Sequence, residues 1–413
     1  VIDKDKFSRE LNLWAVKVDA RLTKQYMTTF SKFLFKIPRL KSVYEVPNES
    51  DKRYILLAET VKDKELTDIP DDLRAFNTEH GGVVEPYQLT VGYDLLSVEE
   101  VLKQVLPSGV EVPSSFEQIG HIAHVNLRDE VLEYRYTIGA VILDKNSRLR
   151  TVVNKLGSIE TEFRTFPMEV LAGDNDMDVS VKESGAKFTF NFAEVYWNSR
   201  LSTEHQRLVD VILGNKSKLR RAHQDCVRVA DLMGGVGPFA VPLAIANTPC
   251  IVHANDLNPQ SYKYLKMNSK TNSCKSDRLS CYNLDGREFV YELIANGITF
   301  DHAILNLPST ALNFLDCFVG LGHRITLSGA NISGAQPRIH VYCFSTADDP
   351  GPDVIQRAAT VLRCDVSDFG PAPYNLCDDA EVTDKTTVHI VRNVAPKKNM
   401  ICLSFTLPIE VSM

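Results

Sequence analysis

VADLMGGVGPFAVPLA, residues 229–244, decides how the C-terminal half of this chain folds. An apolar run ends at Asp231, a turn passes through Gly234, Gly235 and Gly237, and a second apolar run begins. Further strand-like runs follow: CIVHAND, LSCYNLD, DHAILNLP and RIHVYCF. Helix-like segments separate them: FAVPLAIAN, SYKYLKMNSK, GREFVYELIAN, TALNFLDCFVG and PDVIQRAATVLR. Strands alternating with helices predict an α/β fold, a doubly wound parallel sheet covered on both faces. TTVHIV and NMICLSFTLP, near the end, predict an antiparallel hairpin that closes the sheet.

Ligands of open α/β sheets bind at the C-terminal ends of the strands. Three successive strand ends carry acids, Asp231, Asp256 and Asp285. Three acids repel a pyrophosphate, and Ala240 stands where a dinucleotide site wants a third glycine. They suit a ligand with an amino cation, a sulfonium and an unphosphorylated ribose, which is S-adenosylmethionine. In this reading Gly235 and Gly237 let the ligand approach the backbone, Asp256 accepts from the ribose hydroxyls, and Asp285 reaches the adenine edge. The fourth strand end reads NLP, with Asn306 and Pro308 in a rigid turn able to present amide and carbonyl groups to a flat nucleobase.

The rest of the chain bounds this reading. Its 413 residues predict two or three domains, and 44% apolar with 24% charged residues describes a globular protein. No run approaches the roughly 18 apolar residues of a membrane span. The sequence begins at Val1, which leaves a targeting segment open. All nine cysteines lie from Cys226 onward without a C-x-x-C pair, so reduced structural thiols in an intracellular protein are expected. Net charge is −7, yet Arg21, Lys24, Lys32, Lys36, Arg39 and Lys41 form a run without an acid. KSKLRR (216–221) and Lys397–Lys398 add two further basic clusters. Residues 1–105 read as a small α/β module and 106–197 as a β-rich linking domain with the runs HIAHVNL, RYTIGAVIL and AKFTFNF. Residues 198–413 read as the catalytic domain. His121 and His124, three apart on a strand-like segment, point to opposite faces and read as structural rather than metal-binding.

The glycine turn together with HANDLNP (253–259), NLDGREF (283–289) and NLPSTALNFL (306–315) resembles the archaeal–eukaryotic tRNA (guanine-37-N1) methyltransferases. GHIAHVNLRDE (120–130), EFRTFPMEVLAG (162–173) and VYWNSRLSTEHQR (195–207) are similar to the same family. The resemblance implies a class I, Rossmann-like methyltransferase domain behind a β-rich linking domain and a small N-terminal module that contacts tRNA. It implies Glu204 as the general base that removes the N1 proton, and Arg164 as the cation stabilising charge on O6. Asn306 lines both base and methyl donor, while His205, Asp256, Leu257, Asp285 and Gly286 contact the cofactor. Tyr196, Arg200 and Pro308 shape the substrate pocket. The family's aromatic-Ala pair before the glycines is Met233-Gly234 here, and its proline before Arg200 is Ser199.

The resemblance implies a tRNA partner with guanosine at position 37, a monomer, and a cytoplasmic location with nucleus and mitochondrion as alternatives. Aminocarboxypropyl transfer from the same cofactor, as in the related wybutosine pathway, is the competing reaction. Glu204 in its STEH context favours methylation. A non-catalytic RNA-binding module is the third reading; it predicts loss of Glu204, Arg164 or Asn306, and all three are present.

Overall fold

The computed structural model describes residues 2–37, 40–113, 115–157, 163–214, 226–329, 336–370 and 386–412. Arg39, the KSKLRR cluster and Cys377 lie outside them. The chain divides into two compact units.

The first unit comprises 1–116, 125–152 and 171–173. Its antiparallel sheet has the order Val43–Val46, Glu49–Leu56, Arg9–Asp19, Val83–Val91. Helix Thr23–Thr29 supplies buried Tyr26, and Phe30 follows it; both belong to one apolar cluster with Val16, Val18 and Ile55 of the sheet and Leu57 just after it. The same stretch leaves Arg21, Lys24, Lys32, Lys36 and Lys41 exposed.

RYTIGAVIL corrects the expectation of a strand: Arg135–Lys145 is an α-helix. Its buried residues are Ile138, Gly139, Val141 and Ile142, the three-to-four spacing of one helix face. A Cβ on Gly139 would stand 2.5 Å from the Leu171 Cβ, so close packing of this face fixes the helix despite its β-branched residues. The residues read as β-rich do supply strands elsewhere. Glu117–Ile119, Ile122–Val125, Thr151–Lys155 and Met168–Gly173 form one four-stranded sheet, and Asp178–Glu183 pairs with Ala186–Asn191.

The second unit holds a seven-stranded sheet. Its strands are β1 (Val227–Asp231), β2 (Cys250–Asn255), β3 (Leu279–Tyr282), β4 (His302–Leu305), β5 (Arg338–Ser345), β6 (Thr387–Ala395) and β7 (Lys398–Thr406). The order is β3–β2–β1–β4–β5–β7–β6. The first five pair in parallel, and β7 pairs antiparallel with both β5 and β6, so the C-terminal hairpin closes the sheet as expected. The order reverses between β1 and β4, which opens a crevice at their C-terminal ends.

Five helices matter for that crevice: α1 (Ser202–Ile212), α2 (Ala240–Ile245), α3 (Pro259–Thr271), α4 (Gly286–Ala295) and α5 (Pro350–Leu362). Val229, Val252, Leu243 and Leu265 belong to one apolar cluster, and Ala230, Leu305, Val341 and Ile355 to another. The turn between β1 and α2 needs its glycines. Gly237 has φ +101°, and a Cβ there would meet Leu265 and Val241 at 2.9 Å. Gly235 has φ +55°.

Candidate active site

A cavity opens at the C-terminal ends of β1, β2 and β4. Strand termination and helix capping place its polar groups. Asn258 caps α3 by accepting the Gln260 N–H at 2.9 Å, and Pro259 occupies the first turn. Asp285 caps α4 by accepting the Arg287 N–H at 2.8 Å. Asp256, between β2 and α3, accepts the Gly235 N–H at 2.8 Å and the Asn258 N–H at 2.9 Å. One carboxylate therefore ties the glycine turn to the neighbouring strand end. Withdrawal from water still raises the Asp256 pKa to about 6 against these two bonds.

Of the residues expected from the sequence, Arg164, Tyr196, His205, Gly235, Asp256, Leu257, Asp285, Gly286, Asn306 and Pro308 line this cavity. Glu204, Arg200, Asp231 and Gly237 do not. Gly237 packs inward, and Arg200 is exposed with its N–H bound to Asn198 Oδ1.

Asp231 lies behind the turn and is fully buried; among the described residues neither carboxylate oxygen makes a hydrogen bond of full geometry, the Met233 N–H being the nearby donor. Burial, then the neighbouring Asp256 charge, raises its pKa to about 8 against the nearby Met233 N–H. Both causes favour the protonated form of this carboxyl.

Arg164 is half-buried with φ +58°, a left-handed conformation unusual for a side chain of its size. Such strain costs about 1–3 kcal/mol and persists where the surroundings impose it. Its guanidinium has no hydrogen bond or ion pair among the described residues, which leaves its donors to the cavity. Burial lowers its pKa, partly offset by Tyr196.

Glu204 lies on α1 between Leu201 and His205, both of which line the cavity. Its own carboxylate is held behind the wall. Arg207 donates from Nε to Oε2 and from Nη2 to Oε1, each at 2.6 Å. Tyr342 Oη donates to Oε1 at 2.7 Å, and His389 Nε2 lies 3.3 Å from Oε2. Burial alone would raise the Glu204 pKa, but the bonds from Arg207 and then His389 lower it to about 2. His205 turns its Nδ1 to Glu183 Oε1 at 2.5 Å and packs edge-on against Phe239.

Sequence reasoning missed two contributions. Asn255 is buried and donates to the Leu232 and Leu284 carbonyls while accepting the Leu284 N–H at 2.9 Å, which binds the first three strand ends together. Arg392, Val394, Phe344 and Met400 line the cavity from the last three strands. Nothing in their local pattern marks them. His121 and His124 each have a neighbour within the second unit. The former bonds the Asp176 carbonyl, and the latter stacks on Phe166 with its pKa lowered by burial to about 4.

Comparison with known proteins agrees with this geometry. Residues 98–176 match the family described as TYW2 N-terminal domain, and residues 179–324 match the TRM5/TYW2 methyltransferase domain. The tRNA (guanine(37)-N(1))-methyltransferase of Phytophthora infestans is 42% identical, covering 100% of this chain and 93% of that protein. The crystal structure of wild-type Trm5b from Pyrococcus abyssi is similar with a TM-score of 0.62 at 25% identity, covering 95% of this chain and 99% of that one. The complex of aTrm5 and tRNALeu has a TM-score of 0.63 at 18% identity, with 95% and 99% covered, and shares the fold. By its match over the whole chain, this protein belongs to the tRNA (guanine(37)-N(1))-methyltransferase family.

Proposed function

We propose that this protein transfers a methyl group from S-adenosylmethionine to N1 of guanosine 37 in tRNA. The observation that carries the reading is the convergence of Asp256, Asp285, Asn306 and Arg164 on one cavity. The acids at the β2 end and at the start of α4, Asp256 and Asp285, fit a cationic nucleoside. Asp256 would hold the ribose, Asp285 and Gly286 the adenine side, and His205 and Leu257 the rest of that ligand. When bound, S-adenosylmethionine supplies an electrophilic methyl on its sulfonium.

The chain's own residues would do the remainder. Tyr196, 41% exposed at the cavity, offers a face for the base, with Asn306 and Pro308 opposite its edge. Arg164 stabilises negative charge growing on O6 as N1 loses its proton. Glu204 accepts that proton; it is already ionised, and reaching N1 requires it to exchange one of its present donors for the base. Residues 1–105 contact tRNA phosphates, 106–197 link, and 198–413 catalyse.

The test is mass spectrometry of nuclease fragments from tRNA incubated with the protein and labelled S-adenosylmethionine. Label on N1 of guanosine 37 supports the reading. An aminocarboxypropyl adduct, or an unmodified guanosine 37, overturns it.

A further inference from the structure

Glu204 occupies surroundings that would ordinarily keep a carboxyl neutral. Its side chain is 6% exposed, and the groups packed against it come from four elements. Arg207 faces it from α1, Tyr342 from β5, His389 from β6 and Cys402 from β7. Burial raises the Tyr342 and Cys402 pKa values, so both stay uncharged at neutral pH. His340, buried on β5 near Arg207, is likewise held neutral. His389 is a cation only when protonated. Arg207 is thus the one permanent cation on Glu204 among the described residues, and it grips both oxygens.

Resting on the reading of Glu204 as the base, we propose that Arg207 is a positioning residue for methyl transfer: its two-point grip holds the buried carboxylate ionised and fixed in direction. Arg207 does not line the cavity. It acts through Glu204 alone. A fork of two parallel N–H donors fixes a carboxylate's plane as well as its charge, which one ammonium cannot do. Without it only the Tyr342 and His389 bonds oppose burial, so the Glu204 pKa rises and less of the proton-accepting form is present. The rate would then depend on pH in a range where no carboxylate limb is expected of the native enzyme.

The experiment is single-turnover methylation of a guanosine-37 tRNA transcript from about pH 5.5 to 9 by wild type, Arg207→Gln, Arg207→Lys and Glu204→Gln. Arg207→Gln is expected to lose about tenfold in rate for each pH unit below its displaced ionisation and to recover as pH rises. Arg207→Lys keeps the charge but offers one donor direction, so its limb moves up by less. Glu204→Gln is expected to be slow at every pH. An Arg207→Gln deficit equal at all pH values, with Glu204→Gln slow, overturns the role of Arg207 and leaves the base intact. Glu204→Gln at the wild-type rate removes the base itself. Should Arg207→Gln fail to melt cooperatively, Arg207→Lys carries the test, and an Arg207→Lys profile without a limb, like the wild type's, overturns the proposal.

Discussion

Tyr342 Oη donates to Glu204 Oε1 at 2.7 Å across 138 positions of sequence, and the bond is fully buried. It joins the central sheet to the helix that carries the proposed base. Tyr342→Phe leaves the ring in place and removes one donor to a buried anion. Hydrogen bonds to charged groups contribute about 1.5–3 kcal/mol, so urea unfolding should show a loss of that size. A variant as stable as wild type would mean that Glu204 is satisfied without Tyr342.

Glu204→Gln separates chemistry from binding. The amide is nearly isosteric but cannot take a proton, so the single-turnover rate should fall by roughly 10²–10⁴ while calorimetric affinity for S-adenosylmethionine stays close to wild type. With its pKa lowered to about 2, Glu204 is ionised throughout the working range, so the native enzyme's rate should show no carboxylate limb near neutrality. An unchanged rate in the variant removes the assignment.

Asp256→Ala should weaken S-adenosylmethionine by roughly 1.5–3 kcal/mol. The pH dependence has a definite sign. Its pKa is raised to about 6, so below that value the carboxyl is protonated and presents less charge to a cationic ligand. Affinity measured by calorimetry should rise with pH through about 6 in the wild type, and this step should vanish in the variant.

Asp231→Asn should stabilise the cofactor-free protein at alkaline pH. The folded pKa of about 8 exceeds the ordinary 3.8, so the folded state binds the proton more tightly and loses stability as pH rises from the lower value to the higher. An amide cannot ionise, and its oxygen can still accept from the Met233 N–H. A gain of about 1–3 kcal/mol at pH near 8, fading towards acid, is expected in thermal melts. Equal melting temperatures at every pH would show that the carboxyl finds a partner after all.

Lys24 and Lys32 are exposed and make no ion pair among the described residues. If they meet tRNA phosphates, Lys24→Ala with Lys32→Ala should raise the Kd for tRNA and lower the slope of log affinity against log salt by about one per lysine. Cofactor affinity should not move. An unaltered salt slope would place the tRNA elsewhere.

By itself the sequence determined the alternating strands and helices, the glycine turn, and the gathering of Asp256, Asp285 and Asn306. Those follow from local periodicity and from a chain rule: parallel strands joined by helices all end on one side of their sheet, so residues at strand ends meet without further instruction. The i,i+3 spacing that lets Arg207 reach Glu204 was equally local. Only the tertiary structure decided the helix over Arg135–Lys145, where packing of Gly139 against Leu171 overrode β-branched composition. It alone brought Arg392 and Val394 to the cavity from an edge strand. It also decided the charge states, burying Asp231 beside Asp256 while Tyr342 and His389 closed on Glu204. Sequence specifies which residues can carry charge, but desolvation and distant donors set whether they do, and both arise only when segments far apart in the chain pack together.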